Sequence, residues 1–203
     1  MDYISKYIGE KTELESKKWG KLLIEVASFT PAKDGDLIVL IGNPFNQKKP
    51  LIRIHSECVF AEVFESNFCD CGEQFELSMD ELVKEGNGIL FYLRFDGRGA
   101  GLAAKVKATA LEMQGIDTYE SRLQVGVKPE GRDFSSIGKY LKGNGIGAVR
   151  LLTNNPTKGK HLENEGISVS YIPLLVQEPN ENVRKLYDTK LHRFHHCIPN
   201  ELT

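Results

Sequence analysis

From Trp19 to Glu57 the apolar positions fall into three short runs rich in Leu, Ile and Val: KLLIEVASF (21–29), DLIVLIGN (36–43) and PLIRIHSE (50–57). The turn-forming stretches PAKDGD and NPFNQKKP separate them. This pattern predicts an antiparallel β unit whose third strand delivers Arg53 to Glu57 at its end. Residues 1–18 precede it, polar and charged, and read as an arm or a short helix. After residue 72 the period lengthens. Phe75, Met79, Leu82 and Val83 share one face of a helix that Gly86 or Gly88 would end. GILFYLR (88–94) is a compact strand, followed by the glycine-rich turn DGRGAG (96–101). The next helix, LAAKVKATALEMQG, has Leu102, Val106, Ala110 and Met113 as its expected inner stripe and Gly115 as its stop.

Residues 119–132 read as an exposed loop. Asp133 or Ser135 would cap a short helix through Ile137, Tyr140 and Leu141. AVRLLTNNP (148–156) is a strand that ends at Thr153, Asn154 and Asn155, with Lys158 opening the following helix. SVSYIPLLV reads as a pair of strands, and NENVRKLYDTKLHRFHHC as a basic helix whose histidines form a solvated face. No repeat or linker divides the chain. The expected fold is α+β, mixed β-sheets with packed helices, in a single domain over 1–203, with 1–18 an N-terminal arm and 189–203 a C-terminal tail.

Composition narrows the function. A chain of 203 residues can build one sizeable core, and a net charge of -2 provides no general basic field for nucleic acid. No apolar run approaches the ~20 residues of a membrane span, and the N-terminus has no signal-like apolar stretch. Four cysteines without a secretory signal point to a reducing compartment, so cytoplasm is the expectation.

The candidate chemistry concentrates in RIHSECVFAEVFESNFCDC (53–71), where Cys58, Cys69 and Cys71 are spaced C-x10-C-x-C. Three thiolates suit zinc and leave a fourth position for a water whose pKa the metal lowers to about 7. Two other readings fit the same spacing: buried small hydrophobes, or a structural zinc site completed by a distant ligand, with Cys197 in HRFHHC the first candidate. The DGRGAG turn before a helix suits an anion, since helix N-terminal amides are unpaired and glycines allow close approach. It is not a Walker A loop, because it lacks the G-K-[ST] ending.

In order, RIHSEC, CDCG-x-Q, DGRGAGL, GRDF and RLLTNNPTK resemble the motifs of GTP cyclohydrolase II, the zinc enzyme that opens the guanine ring at the start of riboflavin synthesis. The likeness runs from about Trp19 to about Asp188. It implies one Zn2+ per chain on Cys58, Cys69 and Cys71, and nucleotide contacts from Arg53, Ile54, His55, Ser56 and Glu57. It also implies nucleotide contacts from Gln74, Asp96, Gly97, Arg98, Thr118, Thr153 and Lys158. Arg132 matches the arginine assigned as nucleophile on the α-phosphorus, and Glu130 falls where the family has an aspartate as proton acceptor. GTP or a related purine nucleotide is the implied partner, with Mg2+ on its triphosphate and a homodimer as the assembly.

The chain departs from the family pattern at several positions. Thr109 stands where tyrosine is typical, Glu130 replaces aspartate, and Phe60-Ala61-Glu62 stands where T-G-D is common. Phe68 replaces an arginine and Leu123 a histidine. Together they predict fewer polar groups near the site. Four functions follow as alternatives: full ring opening with release of pyrophosphate and formate; a cyclohydrolase that retains the formyl group or uses another purine nucleotide; a catalytically silent zinc and nucleotide binder; and a structural zinc protein on nucleic acid, which the charge disfavours.

Overall fold

The structure, a computed structural model, describes residues 3–203. Met1 and Asp2, the start of the expected arm, lie outside the described residues. The rest of that arm is not loose. After one 3-10 turn at Tyr3–Lys6, strand β1 (Lys11–Ser16) pairs antiparallel with β2 (Gly20–Ala27), Lys11 opposite Glu25 and Ser16 opposite Gly20. β1 is an edge strand with almost every residue exposed, so no alternation of polar and apolar side chains marks it.

β3 (Asp36–Ile41) continues antiparallel to β2. The expected third strand of a meander, β4 (Leu51–Ser56), does not pair with β3. β5 (Gly88–Leu93) lies between them, antiparallel to β3 and parallel to β4. β6 (Ala148–Leu152) and β7 (Ser168–Ile172) follow in parallel, giving the order β1-β2-β3-β5-β4-β6-β7 in one mixed sheet. Leu51 to His55 are all buried, as expected of a central parallel strand covered on both faces. SVSYIPLLV supplies only β7, which stops before Pro173.

Short helix α1 (Val59–Glu62) and α2 (Cys71–Glu85) connect β4 to β5. Met79 and Leu82 of α2 pack on Val39, Ile41, Leu51 and Leu90, and Gly86, left-handed at φ 73, ends the helix. Beyond β5 come α3 (Gly101–Glu112), α4 (Glu120–Val125) and α5 (Ser135–Gly143), then α6 (Pro156–Asn164) between β6 and β7, and α7 (Glu181–Phe194). α4 replaces part of the expected loop, and its Ser121 and Arg122 are buried. Ile137 and Leu141 of α5 and Leu162 of α6 cover the opposite sheet face, against Ile52, Ile54, Ile89 and Phe91. The residue that caps α5 is Phe134, with no side-chain cap bond, rather than the expected Asp133 or Ser135; Asp133, one position earlier, accepts the Ser135 N–H at 2.9 Å.

The crossover from β4 to β5 runs over one face and the return to β6 over the other. β4 therefore lies where the winding reverses, and the crevice outside the carboxyl ends of β4, β5 and β6 is where such sheets bind ligands. In α3 the expected stripe is inverted. Leu102, Val106 and Met113 are 49%, 52% and 68% exposed, and Lys105 and Ala108 face inward. No helix among the described residues is long and apolar enough to cross a membrane.

Candidate active site

One pocket opens at the carboxyl ends of β4, β5 and β6. Every residue expected from the sequence lines it except Ile54, whose side chain is fully buried in the core and whose carbonyl alone serves the site. Strand alternation explains the difference. Arg53 and His55 point to the α2 side, while Ile52 and Ile54 point to the other face.

The sulfur end is built by the β4–α1 junction and the start of α2. The Sγ atoms of Cys58, Cys69 and Cys71 lie within 4.8 Å of one another, and Cys58 and Cys69 are 3.6 Å apart. Among the described residues no fourth His, Asp, Glu or Cys joins them. Cys197 is exposed, and its N–H is bonded to the Asn154 carbonyl at 2.8 Å, so the chain does not close the group with it. The glycine of CDCG has a packing reason: a Cβ on Gly72 would come within 3.0 Å of the Ala61 carbonyl oxygen. The Lys105 ammonium sits 3.0 Å from Cys58 Sγ and 2.6 Å from Asp96 Oδ1. Hydrogen bonds from the Cys69 and Cys71 thiols, aided by Lys105, hold Cys58 far below an ordinary thiol, while the same sharing of protons and burial push Cys69 up. A compact three-sulfur set with a charge already favouring thiolate fits a soft or borderline cation that keeps an open position.

Glu62 underpins this end, although the departure at 60–62 predicts a loss of polar groups. Its Oε1 accepts from His55 Nε2 at 2.8 Å and from the Cys58 N–H at 2.7 Å, and its Oε2 accepts from the Tyr92 hydroxyl at 2.6 Å. Burial pushes the Glu62 carboxyl up, but these donors outweigh it and hold it below its usual value. Burial also lowers His55, so the ring is neutral and carries its proton on Nε2, toward Glu62. Phe60 is not idle either, since its ring lies 4.7 Å from the Lys105 ammonium.

The other end is cationic. Arg53 donates to the Leu152 carbonyl and to Gln74 Oε1, both at 2.9 Å, and Gln74 Nε2 donates to Asp70 at 2.5 Å. Among the described residues, Lys158 Nζ hydrogen-bonds only the Ile54 carbonyl, at 2.8 Å. The turn after β5 holds Gly97 and Arg98 in left-handed backbone, φ 62 and 58, with Asp96 accepting from the Gly97 N–H at 2.7 Å. Arg132 is gripped in a two-pronged bond by Glu130, Nε to Oε1 at 2.7 Å and NH2 to Oε2, and donates NH1 to Ser56 at 3.2 Å. Burial raises Glu130, but the bonds and charge of Arg132 hold it below its usual range.

Lys105, Arg122, Arg132 and Lys190 each have a carboxylate partner: Asp96, Glu112, Glu130 and Asp70. Arg53, Arg98 and Lys158 have none within 4.0 Å among the described residues. Burial lowers all three. Arg53 falls to about 10, Arg98 falls to about 10 with help from Arg132 and Arg122, and Lys158 falls well below its ordinary value. Arg53 Nε and Arg98 NH1 find no hydrogen-bond partner among the described residues.

Thr109, Thr118 and Thr153 also line the pocket, whereas Leu123 is 48% exposed and outside it. Sequence reasoning missed Glu62, Lys105, Arg122 and the α7 residues Lys190 and Phe194, and it left His196 on a solvated face although the ring lines the pocket. One signal was available: Lys105 stands four residues before Thr109 and seven before Glu112, on the same helical face.

Comparison with known proteins bears directly on this arrangement. The family model described as GTP cyclohydrolase II matches residues 8–173. The GTP cyclohydrolase-2 of Neisseria gonorrhoeae is 42% identical over 186 residues, covering 89% of this chain and 91% of that protein. That of Proteus mirabilis is 40% identical over 165 residues, covering 80% and 82%. The riboflavin biosynthesis protein RibBA of Bacillus subtilis is 39% identical over 177 residues, covering 86% of this chain, which spans only 44% of that longer protein. Match length and identity agree with the sulfur triad and the cationic crevice: the chain belongs to the GTP cyclohydrolase II family.

Proposed function

We propose that the chain opens the imidazole ring of GTP, releasing pyrophosphate and formate and leaving a diaminopyrimidinone ribonucleotide. One observation carries the substrate class. Three cations, buried Arg53 and Lys158 and half-buried Arg98, share one pocket without a carboxylate partner. An uncompensated buried charge costs several kcal/mol, on the order of 3–5 when a partner is removed, and a polyanion relieves it. The triphosphate of GTP is such a polyanion, with Mg2+ as its counter-ion on the phosphate oxygens.

Cys58, Cys69 and Cys71 would hold Zn2+, one per chain. Bound there, zinc supplies a Lewis acid that makes hydroxide available near neutral pH, which hydrolysis at C8 of guanine requires. The chain's own groups do the rest. Arg53 and Gln74 brace each other, leaving the second lone pair and second N–H of the Gln74 amide to read the guanine edge together with Glu57. Ser56, Thr118 and Thr153 add hydroxyls along the nucleotide. Arg98 and Lys158 neutralise the phosphates and the departing pyrophosphate. The two-pronged pairing of Arg132 with Glu130 supports charge stabilisation at the α-phosphorus rather than nucleophilic attack there.

A second reading concerns where the reaction stops. Thr109 lines the pocket wall with Lys105 and Glu112, where the resemblance expects a phenol. A product that keeps its formyl group would follow if that phenol is needed for the second hydrolysis. The experiment is incubation of the zinc-loaded chain with GTP and Mg2+, measuring formate and pyrophosphate and weighing the nucleotide product by mass spectrometry. Equal formate and pyrophosphate establish full ring opening. A formylated product that Thr109→Tyr converts to formate release supports the second reading. Untouched GTP, with zinc bound, leaves a silent binder or another purine nucleotide.

The exposed Leu102, Val106 and Met113 on α3 support a homodimer with this stripe at the contact. Light scattering of the parent and of Val106→Glu tests it: the parent should run as a dimer and the variant as a monomer.

A further inference from the structure

The family model ends at residue 173, yet α7 and the turn after it reach the pocket, through Leu186, Lys190, Phe194 and His196. This segment is anchored independently of the main core. Val183, Tyr187 and Ile198 are buried together, with Leu175 and Leu202 packed against them, and Asn180 caps the helix by accepting the Val183 N–H at 3.0 Å. α7 ends at His195, left-handed at φ 56 and ψ 35, which reverses the chain. The return is pinned on both sides: the His196 N–H bonds the Lys190 carbonyl at 3.0 Å and the Cys197 N–H the Asn154 carbonyl at 2.8 Å.

Three side chains then meet groups already assigned to the site. Lys190 Nζ lies 2.7 Å from Asp70 Oδ1, and the other oxygen of Asp70 orients Gln74. The Phe194 ring lies 4.1 Å from the Arg98 guanidinium carbon and edge-on to Tyr119, which follows Thr118. His196 lines the pocket among Lys190, Arg132, Arg98 and Lys158.

We propose that Phe194 and His196 form a wall of the triphosphate site, with Phe194 positioning Arg98 and His196 binding a phosphate oxygen. This rests on the GTP reading above. A ring face steadies a guanidinium without using its N–H donors or cancelling its charge, whereas a carboxylate would do both. Arg98 is one of the three cations without a carboxylate, and its NH1 is without a partner among the described residues, so the ring holds it ready rather than neutralised. Burial, with help from the cations around it, lowers His196 and keeps its ring neutral. It offers an N–H to an incoming phosphate without adding a fifth positive charge beforehand.

The test uses the zinc-loaded full chain, titrated calorimetrically with the α,β-methylene analogue of GTP, alongside steady-state GTP kinetics. Phe194→Leu keeps apolar volume and removes the ring, Phe194→Tyr keeps the ring, His196→Ala removes the donor, and Lys185→Ala on the exposed face of α7 is the control. Phe194→Leu and His196→Ala should each weaken analogue binding about fivefold, the scale of one cation–π or hydrogen-bond contact, and raise KM more than they lower kcat. Phe194→Tyr should restore binding and Lys185→Ala should match the parent. Parent-like affinity in both Phe194→Leu and His196→Ala overturns the wall while leaving the GTP reading intact. A parent chain that does not bind the analogue removes that reading and the wall with it.

Discussion

The two ends of the pocket handle charge in opposite ways. At the sulfur end every charge is matched inside the chain: Lys105 lies against Cys58 and Asp96, and Glu62 gathers His55, Tyr92 and the Cys58 N–H. At the other end buried Arg53 and Lys158 and half-buried Arg98 lack a carboxylate, and each is driven below its ordinary pKa. A site that is satisfied in advance can hold an ion in fixed geometry. A site left short of negative charge is built around a ligand that brings it.

The largest expected effect breaks the sulfur end alone. Cys58→Ser should remove stoichiometric zinc and lower turnover by about a thousandfold, since it deletes one of the three proposed ligands. Metal content and turnover measured on the same preparation check this. Binding of the methylene analogue should fall much less, because the phosphates engage the far end. Next, Arg132→Lys should lower kcat about a hundredfold with zinc content unchanged. A point charge cannot reproduce the two-pronged bond to Glu130 while also reaching Ser56. Smaller still, Glu62→Gln should loosen zinc about tenfold in a chelator competition, the scale of effects from groups that orient metal ligands.

The smallest effect separates the ends by pH. Glu130 has its folded pKa below the usual 4.5, so the stability it adds is present above that value and is lost as pH falls through the folded pKa. Glu130→Gln should therefore melt lower than the parent at pH 7, by about 1 kcal/mol in stability, and the gap should close below pH 4.5. Thermal melts of both chains in chelator, so that neither carries metal, provide the comparison.

Much of the site was legible because it is local in the chain. Three cysteines within fourteen residues and a glycine turn before a helix suggest their chemistry without tertiary information, whereas GRDF and RLLTNNPTK entered only through the resemblance to the family. What escaped has physical causes. β1 is wet on both faces, so no alternation marks it. β4 is buried on both faces, yet LIRIHS alternates apolar residues with Arg53 and His55, which line the pocket, so nothing in it distinguishes parallel from antiparallel neighbours. The period of α3 identified which residues share a face but not which way the face points. Lys105 is tolerated inside because Asp96 and Cys58 receive its charge. The α7 contacts join residues as far apart as Lys190 and Asp70, 120 positions, and no local pattern encodes them. Glu62 keeps a bonded carboxylate at 60–62, where the departure predicts a loss of polar groups.

The most direct test of the two-ended site is a crystal structure of the zinc-loaded chain with the α,β-methylene analogue of GTP. The account predicts the guanine imidazole edge over the Cys58/Cys69/Cys71 ion, with phosphate oxygens on Arg98, Arg132 and Lys158. A nucleotide bound the other way round, or phosphates that leave those three residues untouched, would contradict it.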